Sequence, residues 1–134
     1  MRSLLGVEKI KIYYGKSHII KDVSLGVKEG EIVTLIGRNG AGKTTTLRSI
    51  IGLTPPKSGE IEFYGMKING LHPFELVRMG IGFVFENRRI FPDLTVRDNL
   101  EISAIDRKNR ETKWTVESLF ESFPILKSFR KKKA

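Results

Sequence analysis

The sequence has no cysteine and only two histidines, His18 and His72, among its 134 residues. Without cysteine there is no disulfide framework and no thiolate-ligated zinc or iron–sulfur site. The two histidines are far apart in the chain, which speaks against a histidine-rich metal site. No run approaches the roughly 18 apolar residues of a membrane span. The opening stretch, MRSLLGVEKIKIYYG, alternates apolar with charged side chains, so it lacks the apolar core of a secretory leader. Hydrophobic content of 40% and charged content of 29% indicate a globular chain. Its length allows one ordinary domain at most. A soluble, cytoplasmic protein is the expectation.

The net charge is +9, and it is unevenly spread. Residues 107–134 carry nine Lys/Arg against three Glu, ending in the run Arg130–Lys133. Such a run reads first as a solvated tail. Charge alone does not make it a nucleic-acid or lipid site.

Hydrophobic periodicity predicts strands over Leu5–Tyr13 and Ile19–Val27, with Gly15 between them. A turn follows at Val27–Glu31, with Gly30 in its left-handed position. Glu31–Ile36 and Ile81–Phe85 are nearly continuous in apolar residues, the pattern of central strands covered on both faces. A helix is predicted from about Lys43 to Ile51, closed by Gly52 and barred from returning by Pro55-Pro56. Short strands are predicted at Glu60–Tyr64 and Met66–Ile68. A short helix over Pro73–Met79 has Pro at its start and Gly80 after its end. Thr95 is the expected N-cap of another helix, with Asp98 in its first turn. Residues 111–122 read as an amphipathic helix with Trp114, Leu119 and Phe120 on or near one face. The order implies an α/β fold: a P-loop NTPase-type core sheet with an antiparallel β edge at the N-terminus and a partial helical subdomain.

The strongest motif is Gly37-Arg38-Asn39-Gly40-Ala41-Gly42-Lys43-Thr44, which matches G-x-x-x-x-G-K-[ST] throughout. Glycines let successive backbone N–H groups turn inward around a phosphate without Cβ clashes. The helix starting at Lys43 adds its N-terminal partial positive charge. Lys43 supplies a formal charge for the β- and γ-phosphates, and the Thr44 hydroxyl is placed to ligate Mg²⁺. The fixed positions match by chance in roughly one chain in two hundred. An apolar run before the loop and a helix after it are the context that the mechanism requires.

Other segments narrow the family. Tyr14-Gly15 precedes the loop, and Asn39–Thr45 is followed by Leu47 and Gly52. Then come Pro56-x-Ser58-Gly59-x-Ile61 with Gly65, the stretch Gly82–Phe91, and Leu94-Thr95-Val96-x-Asp98-Asn99-Leu100. Over essentially the whole chain this resembles the first half of an ATP-binding-cassette ATPase, and it looks most like the ATP-binding subunit of a branched-chain amino acid importer. The resemblance implies ATP and Mg²⁺ as cofactors. It implies a nucleotide site at Tyr14, Gly37, Arg38, Asn39, Gly40, Ala41, Gly42, Lys43, Thr44 and Thr45. Tyr14 would stack on adenine; Tyr13 points to the opposite face of the same strand and is its competitor. Thr44 and Glu86 would ligate the metal. Glu86 stands where the family usually has glutamine, and Asn87 where the importer branch usually has glycine. The implied partners are membrane-spanning permease subunits and a second ATP-binding cassette. The implied location is cytoplasmic, peripheral on the inner face of the membrane.

Three parts of a complete cassette are missing from the sequence. No run of four apolar residues is followed by Asp-Glu; the nearest segment, Ile102–Asp106, reads as the end of a helix. There is no Leu-Ser-Gly-Gly segment, and no histidine follows a second catalytic strand. Phosphoryl transfer needs a second acidic group and a water-positioning group besides the loop. The chain is therefore expected to be the N-terminal part of a cassette, without ATPase activity alone. Residues 1–85 would be the nucleotide-binding core, and 86–134 a coupling loop and incomplete helical subdomain with a basic tail. The alternatives are a degenerate, non-hydrolysing fragment and a small P-loop kinase. A kinase typically opens with its phosphate loop after the first strand, whereas here two strands precede it. Nucleic-acid binding is not expected, because the basic tail lacks interleaved aromatic residues.

Overall fold

The computed structural model describes residues 3–87, 89–104 and 114–134. The chain divides into two compact units, Met1–Phe83 and Val84–Ala134.

The first unit is built on a four-stranded antiparallel sheet. Its strands are β1 (Ser3–Tyr14), β2 (Ser17–Lys28), β3 (Ser58–Phe63) and β4 (Met66–Lys67). They lie in the order β2-β1-β3-β4. Gly15, with φ of 57°, makes the tight turn between β1 and β2. Helix α1 (Lys43–Ile50) and helix α2 (Pro73–Met79) complete the unit. Helix α2 starts at Pro73 and ends on Gly80 in the left-handed conformation, as its sequence predicts.

The core shows why β1 carries its apolar residues at uneven spacing. Val7, Ile10 and Ile12 are all buried. A three-residue step from Val7 to Ile10 would put them on opposite faces of a regular strand. The register against β2 slips between Val7 and Ile10, and Lys9 there has φ of 45°. The extra residue returns Ile10 to the inner face. A second slip, on β2 beside Asp22, keeps Ile20 opposite Ile12. These side chains pack with Ile50, Ile61, Ile68 and Leu76. Burying each contributes on the order of 1.5–3 kcal/mol.

Gly59 of β3 is fitted against this irregularity. A Cβ there would lie 2.5 Å from the carbonyl oxygens of Glu8 and Lys9, at φ of 91°. The Asn69 side chain then fixes β3: its Oδ1 accepts from the Ile61 N–H at 2.7 Å.

The two runs expected to be central strands are not strands. Residues 31–38 and 81–85 are without regular structure. Ile32, Ile36 and Val84 are 95%, 92% and 88% exposed. An apolar run becomes a central strand only when neighbours pair its backbone and cover both faces. Among the described residues no strand does so.

The second unit contains α3 (Val96–Ala104), α4 (Val116–Ser122) and α5 (Pro124–Phe129). Thr95 and Asp98 cap α3 mutually: the Thr95 N–H donates to Asp98 Oδ2 at 3.0 Å, and the Asp98 N–H to Thr95 Oγ1 at 3.1 Å. The Thr95 hydroxyl, which donates to Asp98 Oδ2 at 2.5 Å, and then the Thr95 N–H hold the Asp98 carboxyl below its usual range. Asn99 ties the preceding loop to the helix. Its Oδ1 accepts from the Phe91 N–H at 2.9 Å, and its Nδ2 donates to the Phe91 and Thr95 carbonyls at 3.0 Å. Arg97 bridges Glu101 at 2.7 Å and Glu117 of α4 at 2.8 Å.

Three expectations change in this unit. Trp114 precedes α4 and is exposed, so the buried face is Val116 and Phe120 instead. Pro124 opens a further short helix that the periodicity misses. The basic run is not a free tail. The Val96 N–H donates to the Lys132 carbonyl at 3.0 Å, the Arg97 N–H to the Arg130 carbonyl at 3.1 Å, and the Ala134 N–H to the Leu94 carbonyl at 3.1 Å. The first amides of α3 lack partners within the helix, and the basic segment supplies carbonyls to two of them. Arg88, Ile105 and Asp106 lie outside the described residues. No helix among the described residues is long and apolar enough to cross a membrane.

Gly59→Ala is expected to lower stability by about 3 kcal/mol or to prevent folding, because strand backbone cannot retreat from the added methyl. Gly65→Ala, where a Cβ meets open space at φ of 74°, is expected to cost about 1 kcal/mol. Urea denaturation followed by circular dichroism compares them; equal losses contradict the steric account.

Candidate functional site

The loop between β2 and α1 owes its position to one close contact. Gly42, the N-cap of α1, has φ of 92° and ψ of 6°. A Cβ at this position would lie 2.1 Å from Ile20 Cδ1. Glycine takes this left-handed φ without strain, and any side chain here would have to displace the terminal methyl of buried Ile20. Gly40 also has positive φ, 83°, but faces open space. The loop is closed internally by the Ala41 N–H, which donates to the Arg38 carbonyl at 3.1 Å.

Helix α1 presents an uncapped, uncompensated N-terminus. No side chain bonds its first amides, and its first turn has no acidic residue. The amide donors and the positive end of the helix dipole therefore remain available to an anion. Thr46 is buried, and its hydroxyl donates to the Gly42 carbonyl at 3.0 Å. Thr44 is exposed in the same turn.

Lys43 folds back over the loop. Its Nζ donates to the Gly37 carbonyl at 2.7 Å and to the Arg38 carbonyl at 2.8 Å. The Gly37 and Arg38 carbonyls are thus drawn onto the ammonium group at the start of α1. Nearby amide donors, a helix N-terminus and a fixed cation form a cradle suited to a phosphate chain.

The structure separates the two candidate aromatic rings. Tyr13 is stacked on His18, with centroids 4.1 Å apart and planes 9° from parallel, and Lys57 Nζ lies 5.1 Å from its ring centre. Its ring is engaged within the protein. Tyr14 is 48% exposed. The Thr54 hydroxyl above all, then the Thr45 hydroxyl and the Arg48 charge, hold its phenol below its usual range. Much of the Tyr14 ring remains open to solvent. The action of Thr54 on Tyr14, and Ile20 as the seat of the loop, are contacts that no local motif announces.

A hard divalent cation needs oxygen ligands. The Thr44 hydroxyl is exposed beside the cradle and fits that requirement. Glu86 lies in an exposed turn of the second unit. Among the described residues no group of three or more acidic, histidine or cysteine side chains forms a metal cluster.

Residues 20–134 match the family model described as ABC transporter. The chain is 40% identical over 124 residues to the high-affinity branched-chain amino acid transport ATP-binding protein BraG of Pseudomonas aeruginosa, covering 92% of this chain and 53% of BraG. It is also 40% identical over 111 residues to the Fe(3+) ions import ATP-binding protein FbpC of Fusobacterium nucleatum, covering 83% of this chain and 29% of FbpC. Among solved structures it is similar to a dimeric ATP-binding cassette in a post-hydrolysis state bound to ADP and Pi. That similarity has a TM-score of 0.75 and 30% identity, covering 97% of this chain and 61% of the other. The chain spans about half the length of BraG and less than a third of FbpC.

Gly42→Ala is expected to weaken phosphate-dependent binding more than tenfold, because it adds strain at φ of 92° and a clash with the terminal methyl of Ile20 in a packed core. Gly40→Ala, with free space around it, is expected to cost at most about 1 kcal/mol through its backbone angle. Titration of both variants with a fluorescent ATP analogue tests the difference; a greater loss in Gly40→Ala would contradict it.

Proposed function

The chain belongs to the ABC transporter family, and on that premise we propose that it binds Mg-ATP as the N-terminal part of an importer's ATP-binding subunit. The single observation that carries this reading is the Lys43 ammonium, bonded to the Gly37 and Arg38 carbonyls at the uncapped start of α1. The amides around Gly40–Thr45 hold phosphate oxygens. Lys43 neutralises the β- and γ-phosphates, and Tyr14 supports the adenine. The Thr44 hydroxyl contributes one ligand to Mg²⁺, which supplies charge neutralisation along the triphosphate when bound. Glu86 as a second ligand rests on the family resemblance.

Residues 1–85 serve as the nucleotide-binding core, and 86–134 as the coupling loop and the beginning of the helical subdomain. The working assembly contains membrane-spanning permease subunits and a second cassette, on the cytoplasmic face of the membrane. A branched-chain amino acid is the proposed solute, supported by the likeness to BraG. The solute is chosen by the other subunits, and FbpC, equally identical over its aligned part, is named for iron.

Phosphate contacts dominate this binding. Charge-assisted hydrogen bonds contribute about 1.5–3 kcal/mol each, and several act together. One base–aromatic stack contributes about 1–3 kcal/mol. Lys43→Ala is therefore expected to weaken ATP and GTP binding more than Tyr14→Ala does. Tyr14→Ala weakens both nucleotides by similar factors, because every base has a face. Competition titrations at fixed salt and Mg²⁺ measure this. Loss of binding in Tyr14→Ala with retention in Lys43→Ala would overturn the reading.

The purified chain is also expected to release no phosphate from Mg-ATP, because the sequence holds no second acidic strand end and no water-positioning group. A turnover of about 1 s⁻¹ or more that vanishes in Lys43→Ala would refute this.

A further inference from the structure

The basic segment and α5 together form a surface that the nucleotide site does not use. Ile125 and Phe129 are four residues apart in α5 and so share a helix face. They are 70% and 42% exposed. The cations that follow are held in place by backbone. The Lys132 and Arg130 carbonyls accept from the first amides of α3, and Thr95 and Lys133 form a β-bridge. Lys132 Nζ lies 4.8 Å from the centre of the Phe129 ring, so charge and apolar surface are adjacent. Arg130, Lys131, Lys132 and Lys133 are all exposed. Among the described residues Asp93 pairs with Lys133, at 3.7 Å. Asp98 is engaged with Thr95, and Glu101 and Glu117 with Arg97.

We propose that Ile125, Phe129 and Arg130–Lys133 form a docking surface for an anionic lipid bilayer. Four cations carried on a paired backbone complement a sheet of phosphate headgroups, and two protruding apolar side chains reach the acyl boundary. Lysine stems reach along apolar surface while their ammonium groups stay among the headgroups. An acidic protein would match the charges but would need a pocket shaped for Ile125. A fluid bilayer receives that side chain without shape complementarity. Single-stranded nucleic acid would need aromatic faces interleaved with the cations; the run 130–133 has none, and Lys132 already lies over Phe129. The segment's backbone pairing lowers the ordering cost of binding compared with a flexible tail.

The test is flotation of the whole chain with vesicles through a density gradient, which separates lipid binding from aggregation. Vesicles of phosphatidylcholine alone are compared with vesicles holding about 30% phosphatidylglycerol. The chain is expected to float only with the anionic vesicles. Lys131→Ala combined with Lys132→Ala is expected to lower partition about 25-fold, near fivefold per cation. Ile125→Ser is expected to lower it about tenfold with an unchanged circular dichroism spectrum. Ile36→Ser, in the other unit, is expected to leave partition unchanged. Equal flotation with both vesicles, or none, overturns the proposal. So does an Ile125→Ser variant that partitions normally, or an Ile36→Ser variant that does not. Tighter binding to polyglutamate or transfer RNA than to the anionic vesicles at matched charge and salt also overturns it, and assigns the patch to a soluble polyanion.

Discussion

The candidate site depends on the approach of Gly42 to Ile20. Ile20 is buried in the core of the antiparallel sheet, and its side chain fills the space that any larger residue at position 42 would occupy. This contact sets where α1 begins, and so where its free amides, Thr44 and Lys43 stand. Ile20 in turn keeps its inward position through paired irregularities in β1 and β2 beside Lys9 and Asp22. The phosphate cradle is thus fixed by the packing of a hairpin that contributes only Tyr14 to the site itself.

Local chemistry was legible wherever a residue's own conformational limits decide the outcome. Gly30, Gly52 and Gly80 end their elements in the left-handed conformation, and Pro73 and Thr95 mark helix starts, as their types require. The loop from Gly37 to Thr44 was legible because phosphate binding constrains every fixed position. What stayed hidden depends on partners distant in sequence. Spacing alone does not reveal that Gly59 lies against the Glu8–Lys9 backbone, that Thr54 acts on the Tyr14 phenol, or that Lys132 accepts from α3. A charged run has the same periodicity whether it is solvated or paired through its backbone.

Glu31–Ile36 and Ile81–Phe85 show the converse. Their composition reads as central strand, yet both are irregular in the structure; 31–36 is largely exposed, and 81–85 alternates between exposed and half-buried. β propensity describes fitness for a pleated surface with neighbours, not an independent preference of the backbone. Extended apolar segments with unpaired amides present an edge to which other chains can add. Among the described residues no strand pairs with 31–36, so the first unit combines a buried hairpin core with an exposed, irregular apolar segment.

The Lys43 bonds have a consequence for the entropy of association. A lysine side chain carries about 2 kcal/mol of rotamer freedom. In this chain the ammonium is already restrained by the Gly37 and Arg38 carbonyls before any anion arrives. That loss of freedom accompanies folding rather than binding. An incoming phosphate meets a cation whose long stem is already ordered, so the attraction between them is not offset by freezing the side chain.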